Sequence, residues 1–286
     1  MVSGDDEELF SGAVTAIGSG NIELLEDLLS KHPELIRIRR GDPTEGYFRN
    51  PYLLWFIADN PIRIDKLPAN ILDITRLLIR FVRSEAADSM QEQLDYALEL
   101  VATGRVPREC GVQIEMMDLL MDAGAKPGGG ESALAQGNIG AAEHLIEKGG
   151  KLTLTTAIGL KRMDDVARLA MGASKDDRTT ALTMAAFYGK SHMISFLLGM
   201  GADPNGYPEN DSGFHTHATP LHQAVSAGSL ESVKLLVEAG ASLDARDKVY
   251  DGTPLDWAQY LQKDSIDESA KQHFELIEEY LKGMQE

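Results

Sequence analysis

The sequence predicts an all-α fold built from a repeated pair of helices. Three observations support this prediction: apolar residues recur at helical spacing, one motif returns after a fixed interval, and glycines punctuate the chain at regular distances. Spacings of three and four between apolar residues are typical of a helix that buries one face.

The clearest repeat is TPLHQAVSAGSLESVKLLVEAGASLDARD at residues 219–247. Thr219 is predicted to cap the first helix, because its hydroxyl can accept a hydrogen bond from a free N–H of the first turn. Pro220 suits the first helical position, where its missing N–H costs nothing. Gly228 and Gly240 are predicted to end the two helices. The apolar stripe of the second helix consists of Leu230, Val233, Leu236 and Val237.

The same pattern returns on both sides of this segment. TPLDWA at residues 253–258 repeats TPLHQA after a shift of 34 residues, and TALTMAAFYG at residues 180–189 takes the same place upstream. The two glycines of a repeat stand 12 residues apart in three places, which are Gly137–Gly149, Gly189–Gly201 and Gly228–Gly240. We count eight repeats along the chain.

These motifs resemble the ankyrin repeat, whose period is about 33 residues. The resemblance implies an all-α ankyrin-repeat solenoid of stacked helix-turn-helix units with short hairpin-like loops. Because one repeat cannot bury its apolar face alone, neighbouring repeats are expected to share a core. We therefore expect a single ankyrin-repeat domain over residues 1–286, with divergent repeats at 1–127, compact repeats at 128–175 and regular repeats at 176–286.

Three insertions lengthen the pattern, at residues 59–70, 102–111 and 206–218. The first two fall between the helices of repeats two and three, and Pro61 and Pro68 predict irregular structure there. These loops either pack together into a ledge or are neutral surface insertions. The third insertion is predicted to protrude on the side where ankyrin proteins usually bind partners.

Composition narrows the function. The chain has one cysteine, Cys110, and a formal net charge of −18. We expect a monomeric cytoplasmic protein in a reducing compartment, without a signal peptide or a membrane span. The charge opposes binding to nucleic acid or membranes. A basic run at Arg37, Arg39 and Arg40 is interpreted as a solvated turn at a helix end.

No enzyme motif of the HExxH, GxSxG, GxGxxG or phosphate-loop type occurs in the sequence. We therefore expect a non-enzymatic protein without a cofactor. A metal-dependent hydrolase using His215 and His217, with Asp203 or Asp211, is kept as an alternative. Two loop histidines are few for a tight metal site, and the resemblance implies that His222 has a structural role between neighbouring turns.

In ankyrin proteins, contacts to partners come from hairpin tips and from the ends of the first helices. The resemblance therefore implies a concave binding face formed by Asp176, Asp177, Thr179, Phe187, Tyr188, His215, Thr216, Ala218, Ser226, Ala227, Val249, Tyr250 and Tyr260. Tyr188, Tyr250 and Tyr260 are predicted to be exposed, whereas Phe187 either is exposed or packs on the neighbouring repeat.

The expected partner of this face is a protein or peptide. The acidic charge favours a basic partner, because opposite charges speed the encounter. An inhibitor or immunity-type protein that neutralises a basic enzyme is the alternative.

Overall fold

Each repeat folds as two helices joined by a tight turn. A computed structural model describes residues 4–40, 47–208 and 214–285, with side chains from residue 6 onward. Within these ranges there are sixteen α-helices, two 3-10 helices and no strand. Part of the predicted protruding loop, including Asp211, lies outside the described residues.

Eight helix pairs account for nearly all of these elements. The first helices are α1 (Gly4–Ser19), a 3-10 helix (Leu53–Ala58), α4 (Met90–Thr103), α7 (Glu131–Ala135), α9 (Leu154–Gly159), α11 (Lys175–Phe187), α13 (Pro220–Ser226) and α15 (Pro254–Asp264). The second helices are α2 (Ile22–Lys31), α3 (Ile71–Glu85), α6 (Gln113–Asp122), α8 (Ile139–Glu147), α10 (Met163–Gly172), α12 (Ser191–Gly199), α14 (Leu230–Glu238) and α16 (Glu268–Gly283). Two short elements lie outside the pairs, a 3-10 helix (Pro33–Ile36) and α5 (Arg105–Glu109).

Contacts divide the chain into two compact units, Met1–Lys151 and Leu152–Glu286. In the N-terminal unit, the first helices of repeats one to four contact one another in chain order, and so do the second helices. In the C-terminal unit, α9, α11, α13 and α15 form one layer, and α12, α14 and α16 form the other. Each unit is therefore a two-layer stack of neighbouring repeats.

The seventh repeat confirms most of the predicted motif. Gly228 and Gly240 adopt φ values of +64° and +88°, which a residue with a side chain rarely tolerates. Pro220 occupies the start of α13, as predicted. The predicted cap by the Thr219 hydroxyl is wrong, because that hydroxyl lies 2.7 Å from Nδ1 of His222 and makes no cap hydrogen bond. The buried face of the repeat consists of Leu221, Ala224, Val225, Val233 and Leu236.

His222 joins the seventh repeat to the eighth. Its Nε2 donates to the carbonyl oxygen of Gly252 over 3.0 Å, so its Nδ1 accepts from the Thr219 hydroxyl. The imidazole is fully buried, and both of its nitrogens are satisfied. A buried polar ring is tolerated only when its hydrogen bonds are made. The structural role that the resemblance implied for His222 is confirmed.

The sixth repeat begins earlier than the sequence motif suggests. Ser174 and Asp177 form a reciprocal capping box, so α11 starts at Lys175. A capping box satisfies two orphan donors at once and therefore fixes a helix start. Asp176, Asp177 and Thr179 consequently lie within α11, with the two aspartates in its first turn.

The N-terminal unit contains the most irregular repeats. All six residues of the 3-10 helix at Leu53–Ala58 are buried, so Trp55 and Phe56 belong to the core of this unit. Residues 59–70 contain no helix, as predicted. Residues 102–111 are not wholly a loop, because α5 lies within them.

The first two insertions contact each other. Asn60 donates from Nδ2 to Oγ1 of Thr103 over 3.1 Å. Arg105 donates to Asp65 over 2.5 Å. These contacts favour the packed ledge over two independent loops.

None of the described helices has the length and hydropathy that a bilayer span requires.

We predict that stability falls as pH drops below the ordinary histidine pKa of 6.5. Burial lowers the pKa of His222 and also that of His217, so the fold holds both rings neutral. The unfolded chain then binds protons more readily, and the stability is complete only above about pH 7. Urea unfolding measured across this range checks the slope.

The variant His222→Gln serves as the matched comparison. Glutamine keeps one donor and one acceptor but cannot be protonated, so the slope is expected to become shallower. An unchanged slope in this variant would contradict the assignment to His222.

Candidate partner-binding surface

Half-buried rings form a connected row in the C-terminal unit. We call it the aromatic row and define it as Tyr188, Phe187, His215, His217 and Trp257. Ring centroids lie 5.0 Å apart for Tyr188 and Phe187, 4.7 Å for Phe187 and His215, and 5.9 Å for His215 and His217. His217 and Trp257 follow at 6.1 Å. The row therefore runs from the end of α11, through the tip before α13, to the first turns of α15.

The row rests on a buried ring beneath it. Phe214 is fully buried and lies 5.6 Å from Phe187 and 4.7 Å from His215, edge to face in both cases. Edge-to-face pairs of this kind add to the energy gained by burial. Of the two alternatives for Phe187, packing on the neighbouring tip is therefore the one observed, although part of its ring stays accessible.

The carboxylate of Asp247 organises the tip beside the row. One oxygen accepts from the N–H groups of Val249 and Tyr250, at 2.9 and 2.6 Å. The other accepts from the N–H of Gly252 and from the indole of Trp257, at 3.0 and 2.9 Å. Asp247 thus fixes both the tip and the end of the aromatic row.

These hydrogen bonds also explain the acidity of Asp247. Its side chain is only 2% exposed, and burial alone would raise the pKa of the carboxyl group. The four donors outweigh that effect and lower the pKa to about 2. Hydrogen bonds to a carboxylate favour its charged form.

Exposed aromatic side chains adjoin the row. Tyr250 is 77% exposed on the tip, and Tyr260 is 64% exposed on α15, three residues after Trp257. Their predicted exposure is confirmed. Residues three apart lie on the same side of a helix, so Tyr260 continues the face of Trp257.

The remaining predicted residues have mixed outcomes. Thr179 and Ala218 are buried, so their predicted place on the surface is wrong. Thr179 donates to the Lys175 carbonyl and accepts from the N–H of Asp203, which ties α11 to the next tip. Tyr188 is half-buried, and the prediction of its exposure is wrong because it packs on Phe187. The surface residues are Asp176, Asp177, Ser226, Ala227 and Val249, which are exposed, and His215 and Thr216, which are half-buried.

Two residues of this site were missed by sequence reasoning. Trp257 stands in TPLDWA where TPLHQA has Gln223, and it is one of two tryptophans in the chain. Because tryptophan is rare in this chain, its presence at this position could have indicated a functional residue. Asp247 gave no signal, because its partners are mainly backbone N–H groups of the turn that it closes.

The histidines do not form a recognisable metal centre. Among the residues that the structure describes, no group of three His, Cys, Asp or Glu side chains is placed to hold a metal ion. Asp211, one predicted ligand, lies outside that part of the chain. His222 already bonds Thr219 and Gly252, which removes it from the set of candidate ligands.

Comparison with known proteins identifies the repeat. The family model of ankyrin repeats matches residues 115–247 with three copies. The chain contains ankyrin repeats. Ankyrin repeats indicate a protein–protein interaction module, and the family is typically non-enzymatic.

Two relatives are similar to part of this chain. The chain is 41% identical to the potassium channel GORK of Arabidopsis thaliana over 71 residues, which are 25% of this chain and 8% of the channel. It is 40% identical to an ankyrin repeat-containing protein of Schizosaccharomyces pombe over 78 residues, which are 27% of this chain and 34% of that protein. The matches therefore span about a third or less of either relative.

We predict that Asp247→Asn lowers the free energy of unfolding by about 2 kcal/mol at neutral pH, which is the free energy equivalent to the lowered pKa. The contribution of Asp247 is present above its ordinary pKa of 3.8 and is lost as pH falls toward about 2. Chemical unfolding of both proteins at neutral and acidic pH measures the difference.

The exposed Asp244→Asn is the matched control, since it lies in the same tip segment. A loss of stability as large in Asp244→Asn as in Asp247→Asn would contradict the special role of Asp247.

Proposed function

We propose that the C-terminal unit binds a protein or peptide partner along the aromatic row and the adjoining tyrosines. The observation that carries this proposal is the placement of Tyr250 and Tyr260, exposed beside rings that the fold already holds in place. Aromatic side chains dominate the binding energy of protein interfaces.

The single cysteine, Cys110, fits a reducing compartment such as the cytoplasm.

The fixed geometry of this surface supports binding. The rings of the aromatic row contact one another, and Asp247 anchors the tip that carries Tyr250. A surface that is ordered before binding loses little conformational entropy when a partner docks. The exposed tyrosines then supply contact area at a small entropic cost.

Charge favours a basic partner. Exposed carboxylates stand near the tips and in the first turns of the helices, and they are Asp176, Asp251 and Asp256. Acidic residues outnumber basic ones in the C-terminal unit as in the whole chain, whose net charge is −18. Complementary charges raise the association rate more than they tighten the final complex.

We predict that the double variant Tyr250→Ser/Tyr260→Ser weakens binding to a partner purified with this protein by at least about tenfold. Titration calorimetry with the purified partner measures the loss. Tyr188 is left unchanged, because it packs on Phe187 and its removal would disturb the fold.

The double variant Met163→Ser/Met171→Ser is the matched control. Both methionines are exposed on α10 of the same unit, and neither belongs to the aromatic row. Retained affinity in the tyrosine variant, or an equal loss in the methionine variant, would show that the proposed surface is wrong.

The second candidate is an inhibitor or immunity-type protein that neutralises a basic enzyme. The net charge of −18 is the observation that favours it. We predict that its association rate with such an enzyme falls steeply as salt is added, because salt screens exposed charges. Stopped-flow association at increasing salt checks this, and a rate independent of salt would contradict the candidate.

A further inference from the structure

One face of α15 carries a tyrosine between two carboxylates. Asp256, Tyr260 and Asp264 follow one another at intervals of four residues within this helix. Side chains four residues apart lie one turn apart on the same side of a helix. All three are exposed, and we call them the carboxylate–tyrosine stripe.

The fold holds this stripe in place and leaves it accessible. Ala258 is buried, and Gln259 donates to Glu278 of α16 over 3.0 Å, so these residues mark the packed side of α15. A reciprocal capping box between Thr253 and Asp256 fixes the start of the helix. The stripe therefore lies on a rigid element, where little ordering is needed when a partner docks.

The carboxylates of the stripe are not neutralised within the fold. Asp264 makes no ion pair with any residue in the described ranges. One oxygen of Asp256 accepts from the N–H and the hydroxyl of Thr253, each at 2.8 Å, and these donors lower the pKa of the carboxyl group. The charge of Arg246 also reaches Asp256, but that guanidinium pairs with Asp251 at 3.4 Å.

The N-terminal unit shows what such a combination of side chains holds. Arg39 stacks over the ring of Tyr52 at 4.4 Å and pairs with the carboxylate of Glu92. The interpretation of Arg39 as part of a solvated turn is therefore wrong. A tyrosine next to a carboxylate binds an arginine of the same chain there.

A second arginine of that unit is held in the same way. Arg63 stacks over Phe56 at 4.5 Å and lies 3.6 Å from the carboxylate of Asp59. In the stripe, by contrast, no arginine or lysine of the described part of the chain lies over the ring of Tyr260. The stripe thus has the aromatic ring and the carboxylates of these two sites without their cation.

We propose that the carboxylate–tyrosine stripe binds an arginine side chain of the partner peptide. This inference rests on the proposed function, because Tyr260 belongs to the surface assigned there to partner binding. The guanidinium plane stacks on the ring of Tyr260, and its N–H groups extend toward the carboxylates of Asp256 and Asp264. Arginine fits better than lysine, because its planar group stacks and donates at the same time.

The charges of the stripe argue against other occupants. An acidic peptide would place like charges beside Asp256 and Asp264, and a phosphate backbone would do the same. A purely apolar segment would withdraw both carboxylates from water without giving them a partner, which is costly. An arginine supplies the missing positive charge and covers the ring.

Peptides selected on the full chain test the proposal. Short random peptides displayed on phage are enriched, and each enriched peptide is synthesised with arginine, with lysine and with citrulline at its basic position. Citrulline keeps the shape of arginine but carries no charge. We expect arginine to be enriched, and citrulline to weaken binding at least about tenfold in titration calorimetry.

The matching change in the protein is Asp256→Asn/Asp264→Asn, which is expected to weaken binding of the arginine peptide at least about tenfold. In this variant, the change from arginine to citrulline is expected to cost little more, because contacting groups are coupled. Asp264→Asn alone leaves the cap at Thr253 intact and is expected to show a smaller loss. Circular dichroism checks that each variant is folded.

Glu231→Gln/Glu238→Gln is the matched control, since it removes two exposed carboxylates from α14 in the other layer of the same unit. Its affinity for the arginine peptide is expected to stay within about twofold of that of the unchanged protein. Tyr260→Phe, which keeps the ring, is expected to retain binding as well.

The proposal is overturned if no peptide is enriched, if citrulline binds as tightly as arginine, or if the control loses as much affinity as Asp256→Asn/Asp264→Asn. Its failure is distinguishable from that of the proposed function. Binding that is lost in Tyr250→Ser/Tyr260→Ser but kept in Asp256→Asn/Asp264→Asn overturns the arginine site alone. Binding that is kept in both variants overturns the proposed surface as well.

Discussion

Every helix pair in this chain leaves one face apolar, and only a neighbouring pair can cover it. That constraint explains why the first helices contact first helices and the second helices contact second helices within each unit. Apolar burial alone would allow neighbours to slide, since it has no direction. Polar side chains remove that freedom by reaching a carbonyl of the repeat beside them. Three such ties are those of Asn70 to Gly20, Asn138 to Ala102 and His222 to Gly252. Asn138 and His222 are buried and Asn70 is half-buried, and a donor withdrawn from water is costly without its acceptor, so these ties fix the stacking register.

Stacking also determines where binding residues stand. The faces between repeats are occupied by the core, so side chains at the ends of the first helices and on the tips face solvent. In the C-terminal unit, one row of rings contributes both to core packing and to the candidate binding surface. Phe214 and one side of Phe187 belong to the packing, whereas Tyr250 and Tyr260 have no packing role that would explain their size. A binding surface continuous with the core inherits its rigidity, which lowers the entropic cost of docking.

Sequence patterns predicted the regular repeats because there the family motif and the local physics agree. In the seventh repeat, proline at the helix start and glycine at the helix end both act as the motif implies. The patterns failed where a local interaction was stronger than the motif. The capping box of Ser174 and Asp177 starts α11 before the expected threonine, which buries Thr179. The candidate surface was predicted in outline but not in its organisation, since Asp247 acts through backbone donors that no side-chain pattern encodes.

The net charge of −18 governs the long-range electrostatic attraction of partners, but it does not determine the local charge at each contact. At physiological salt, exposed charges act over about 8 Å, so a partner that touches the surface responds to the few charges nearest to it. After the 3-10 helix at Leu53–Ala58, for example, Arg63 lies 3.6 Å from the buried carboxylate of Asp59, so this cation is already paired within the fold. An acidic chain can therefore attract basic partners in the encounter, while the charges nearest to the contact decide which partner is held there. The sign of a local surface is decided by which charges the fold leaves exposed and unpaired, and Arg63 shows that an arginine near the surface can already be balanced by a buried carboxylate.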